Sequence, residues 1–91
     1  MFNYKISKNL NKILLRLSKK DKGLYEQVLR KISEISNSSN LEHYKNLRQN
    51  LKEFKRVHLG HFVLVFRFDK ENNLIHFTDF DHHDKIYLKR F

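Results

Sequence analysis

The chain has no cysteine, no proline and no tryptophan among its 91 residues, and only two glycines. The missing thiols exclude a disulfide framework, thiolate zinc sites and thiol nucleophiles together, and fit a reducing cytosol. Also missing is any apolar run near the roughly 20 residues that cross a bilayer. Asn3 and Lys5 fall where a signal peptide needs apolar residues, so the expectation is an unprocessed, soluble, cytoplasmic chain with no membrane partner. Acidic charge is short as well: ten Asp plus Glu stand against nineteen Lys plus Arg, for a net charge of +9. There are no repeats and no low-complexity tract, and Asn37-Ser38-Ser39-Asn40 is the one clear breaker cluster.

What is present fits one domain spanning 1–91. A chain of this size buries about 60–65% of its unfolded surface, so eight Phe and four Tyr must supply much of a thin core. The basic surplus is uneven: nine basic against three acidic residues over 1–36, six against two over 41–67, and four against five over 68–91. A field of this sign favours a polyanionic partner, either nucleic acid through its phosphates or an acidic protein.

Along the chain, Phe2, Tyr4 and Ile6 alternate with polar residues as in a strand with one buried face. Ser7 is a good helix cap, and Leu10, Ile13, Leu14 and Leu17 follow at helical spacing. Asp21 caps a second helix carrying Leu24, Val28, Ile32 and Ile35, which makes a helical hairpin. Residues 41–50 read as an irregular connection or a short helical turn. Phe54 to Leu59 sets Val57 and Leu59 on one face and Arg56 and His58 on the other, then Gly60-His61 makes a two-residue turn. Phe62 to Phe68 is apolar on both faces and belongs mid-sheet, and Leu74 to Phe80 gives a last strand. The fold class is therefore α+β in the order β-α-α-β-β-β, with the hairpin packed on a four-stranded antiparallel sheet whose last three strands form a meander.

The order and two stretches resemble the RelE/ParE toxins of type II toxin–antitoxin systems. The first stretch is Leu51-Lys52-Glu53-Phe54-Lys55-Arg56-Val57-His58-Leu59-Gly60-His61-Phe62-Val63-Leu64-Val65-Phe66, and the second is His82-His83-Asp84-Lys85-Ile86-Tyr87. In the RelE branch, the resemblance implies a ribosome-dependent mRNA endonuclease that uses neither metal nor cofactor. Such an enzyme drives the ribose 2′-hydroxyl onto the adjacent phosphate, and a cognate acidic, RelB-like antitoxin holds it in a hetero-oligomer. That chemistry needs a proton acceptor, cations on the phosphate and a donor for the leaving oxygen. Position by position, the resemblance carries catalysis onto Arg56, His58, His83 and Tyr87. Lys45, Arg48, Lys52, Lys55 and Arg67 would contact RNA. One position departs: a basic residue of the family pattern falls on Val63.

Two alternatives accompany this reading: a ParE-like toxin acting on DNA gyrase without cutting nucleic acid, and an inactive antitoxin-binding module. Asp79, Asp81 and His83 would share one face of an extended strand and offer metal ligands, although a polar strand end is the commoner meaning of such a cluster. His61 and His76 read as ordinary turn and sheet residues.

Overall fold

Strand β1 (Asn3–Ile6), helices α1 (Lys8–Lys20) and α2 (Lys22–Ser36), strands β2 (Phe54–Leu59), β3 (Phe62–Asp69) and β4 (Leu74–His82), and a single-turn helix α3 (His83–Ile86) succeed one another in a computed structural model. The structure describes residues 2–45 and 53–89. The Ser7 hydroxyl accepts the Leu10 N–H at 3.0 Å and donates to the Thr78 carbonyl at 2.7 Å, so one side chain caps α1 and ties it to β4. Asp21 forms the corner of the hairpin. Its N–H closes α1 on the Leu17 carbonyl at 2.8 Å, and its carboxylate accepts the Leu24 N–H at 3.1 Å to open α2. Ser7→Ala should cost about 1 kcal/mol of stability, read as a lower urea midpoint at unchanged m.

The meander has the expected form. β2 and β3 are antiparallel from Phe54 opposite Arg67 to Leu59 opposite Phe62. Gly60 takes the turn at φ 62, and His61 is not among the described residues with positive φ, the pattern of a II′ turn. β3 and β4 are also antiparallel, with a register break that leaves Thr78 extra on β4 between Phe77 and Asp79. β4 runs on to His82, two residues beyond the expected Phe80.

The expected all-antiparallel sheet is corrected by β1. The strand order is β1-β4-β3-β2, and β1 joins β4 in parallel, from Asn3 opposite Leu74 to Ile6 opposite Phe77. The reason lies in where α2 ends. The Ser36 carbonyl accepts the Phe2 N–H at 2.7 Å, so the hairpin returns the chain to the level at which β1 began. β2 then sets off in the direction of β1, and β4 repeats that direction two reversals later.

Two apolar clusters sandwich the sheet. On one face Leu10, Leu14, Val28, Ile32 and Ile35 of the helices pack on Leu64, Phe66, Ile75, Phe77 and Phe80. On the other, free of the long helices, Phe54, Val63, Val65 and Ile86 form a smaller cluster with Tyr87 against it. Ile86 is fully buried there, and this burial pins α3 to the sheet.

Candidate active site

Alternation along β2 sends Phe54, Arg56 and His58 to the face away from α1 and α2, where Phe54 joins the second cluster. Arg56 Nη1 lies 3.0 Å from His58 Nε2. The His58 ring stacks on His83 at 5.4 Å between centroids, and His83 meets Tyr87 edge-on at 4.8 Å. The Arg56 guanidinium closes the circuit 5.9 Å from the Tyr87 ring centre. Four side chains proposed from sequence, two from β2 and two from the turn after β4, thus form one contiguous group.

Local chemistry fixes the second pair. The His83 N–H donates to the His61 carbonyl at 2.8 Å, which ties the start of α3 to the β2–β3 turn. His82 caps α3, its Nδ1 accepting the Asp84 N–H at 3.4 Å. His83 Nδ1 also lies 3.4 Å from an Asp84 carboxylate oxygen. Burial lowers the His58 pKa, and the charges of Arg56, His83 and Lys45 lower it further. His58 is accordingly held neutral near pH 7.

Val63 stands opposite His58 on β3 and is fully buried among Phe54, Val65 and Ile86. The position that departs from the family pattern therefore builds the apolar floor of the group. Arg67 is elsewhere, opposite Phe54 and His76 at the far end of β3. Lys45 is near enough to His58 to shift its titration, and its carbonyl accepts the Arg56 N–H at 3.0 Å. Lys55 lies on the opposite face from Arg56 and donates to the Tyr44 carbonyl at 3.2 Å. Arg48 and Lys52 lie outside the described residues.

Asp79 and Asp81 oppose Val65 and Val63 and share a face, but His83 has left the strand for α3. Both carboxylates go to Lys89 instead, whose Nζ is 2.7 Å from Asp79 and 2.9 Å from Asp81. Asn9 completes the anchorage by donating to Asp79 at 3.0 Å. Burial lowers the Lys89 pKa, but the hydrogen bonds and charges of both aspartates outweigh it and raise the value. The sequence reading missed this clamp and a second imidazole stack, His61 on His82 at 6.1 Å. Only the adjacency of His82 and His83 to a histidine-bearing turn hinted at that stack.

No family model matches the chain. A protein of Methanocaldococcus jannaschii named "Putative toxin RelE4" is 50% identical over 91 residues, covering 99% of this chain and 95% of that protein. The chain belongs to the RelE toxin family. An uncharacterized protein of Methanosarcina mazei is 43% identical over 88 residues, 96% of this chain and all of that one. Two solved structures share the RelE fold. The toxin–antitoxin complex RelBE2 of Mycobacterium tuberculosis superposes with a TM-score of 0.73 at 20% identity, over 89% of this chain and 96% of that chain. The isolated RelE toxin of E. coli gives 0.67 at 15% identity, over 90% and 84%. With RelE names on these relatives, the gyrase-directed alternative has no support. Among the described residues of this RelE chain, no helix is long and apolar enough to cross a membrane.

Proposed function

We propose that this RelE-family chain is a ribosome-dependent mRNA interferase, a metal-independent endoribonuclease neutralised by an acidic, RelB-like antitoxin in a hetero-oligomer. The observation that carries this reading is the single contact group of Arg56, His58, His83 and Tyr87. In the reaction the ribose 2′-oxygen bonds to phosphorus, its proton passes to a base, and the bond from phosphorus to the 5′-oxygen breaks as that oxygen gains a proton. His58, held neutral, is the base. The Arg56 guanidinium holds the phosphate as charge builds on it, with Lys45 adding to the field. His83, exposed and beside Asp84, donates to the leaving oxygen, and Tyr87 orients both His83 and Arg56.

The protein's charge of +9 suits both an RNA substrate and an acidic antitoxin. The RelBE2 structure is that of a toxin with its antitoxin, which supports such a partner here. The second reading is an inert module that only binds its antitoxin, favoured by the apolar Val63 where the family pattern has a base. Translation in vitro with mapping of message ends separates the two. Cuts that require ribosomes support the interferase, and unbroken message supports the inert module. His83→Ala should lower cutting by at least about tenfold through loss of the acid, Tyr87→Ala should lower it by releasing His83 and Arg56, and full activity in both would remove them from the chemistry.

A further inference from the structure

At the far end of the face that carries the Arg56 group, three strands set basic side chains in one line. Lys5 of β1 stands opposite His76 of β4, and His76 stands opposite Arg67 of β3. Directly opposed residues share a face with Cβ atoms about 5 Å apart. Phe54 extends the row onto β2 opposite Arg67, two residues before Arg56, so row and group lie on the same face. Along β3 the row is four residues from Val63, about 13 Å at roughly 3.3 Å per residue.

Lys5 and Arg67 thus flank the His76 ring from either side and set two cations on one sheet face. Among the described residues no carboxylate forms an ion pair with Lys5 or Arg67. The side chains line an open cleft of about 220 Å³ together with Ser7 and Thr78. Burial lowers the His76 pKa, and Arg67 and Lys5 lower it further against an opposite pull from Asp69, which registers the unspent positive field. Asp79, which could cancel that field between the row and the Arg56 group, is itself occupied by Lys89 and Asn9.

We propose that the Lys5–His76–Arg67 row is a second phosphate-binding subsite, gripping the backbone of single-stranded RNA a few nucleotides from the bond held by the Arg56 group. It rests on the RNA-cutting reading for its partner. A free polyanionic segment of a protein would meet the same charge, but continuity of the row with the Arg56 group along one sheet face favours a strand of RNA that crosses both.

The test measures binding of a fluorescein-labelled oligouridylate of about ten nucleotides, long enough for a charged groove to track. For Lys5→Ala/Arg67→Ala the slope of log K against log salt should be shallower by about 1.4, from about 0.7 per lost contact on single strands. A dinucleotide, too short to bridge both ends, should bind the variant as it binds the parent in an NMR titration. Lys5→Arg/Arg67→Lys, which keeps charge, should bind the longer probe like the parent, and circular dichroism of both variants guards against misfolding. An unchanged slope overturns the subsite, as does equal weakening for the two probe lengths. Loss of binding to a polyglutamate peptide with RNA binding intact overturns it in favour of an acidic protein. Arg56→Ala is measured alongside: if it alone weakens RNA binding, the catalytic reading stands without the subsite, and if only the row variant does, the subsite stands without the catalytic reading.

Discussion

Replacing Arg56 by alanine is expected to lower ribosome-dependent message cutting by about 10²–10³-fold, the usual loss when one preorganised donor to developing charge is removed. Arg56 is the hub of the contact group, touching His58 at 3.0 Å and covering Tyr87. Its removal has a second effect that a scaffold residue would not show. Burial and then Arg56 keep the His58 pKa low, so without the guanidinium that value should rise. The acidic limb of the pH profile should then move upward from below about 6.5, the ordinary histidine value. Stability should barely change, because Arg56 Nε is a buried donor with no hydrogen-bond partner among the described residues, and deleting it relieves a cost. Arg56→Lys keeps the charge but loses the planar fork, and should recover only part of the rate. Cutting within threefold of the parent by Arg56→Ala would remove the guanidinium from the reaction.

Phe66→Ala should destabilise the protein by about 3–5 kcal/mol, the range for emptying a large aromatic site. The ring is fully buried, with Tyr44 edge-on at 5.6 Å and Phe77 at 5.7 Å. At about 4 °C or more per kcal/mol for a chain of this size, the melting temperature should fall by at least about 12 °C. A calorimetric fall under about 5 °C would mean that the cavity collapses, against the close packing of both sheet faces.

Much of this architecture is legible in the residues. Period-two alternation at Phe54 to Leu59 placed Arg56 and His58 on one face, and the caps Ser7 and Asp21 act where helical spacing begins. The unbroken apolar run Val63 to Phe66 is buried throughout. The direction of β1 was not legible, because alternation specifies a buried face and carries no information about the neighbouring strand. The Lys89 clamp was hidden for a similar reason: the spacing of Asp79, Asp81 and Lys89 does not show that they pair, and the fold alone draws Asn9 against them. His83 and Tyr87 were identified by resemblance alone. The contacts of His83 with His58 and of Tyr87 with Arg56 depend on Ile86 entering the cluster with Val63, which no spacing rule encodes.

The pairing of β1 with β4 also dictates when the molecule can be complete. Every residue pair in that ladder is separated by 71 positions, as is the Ser7 to Thr78 contact. Closing so long a loop is slow relative to forming hairpins, and synthesis delivers the N-terminal end first. The opening strand must therefore wait without its partner until β4 has been made, while the meander and α3 can assemble locally. A nascent chain interrupted before Phe77 has no finished sheet, and the group around Arg56 is incomplete until His83 and Tyr87 have been added.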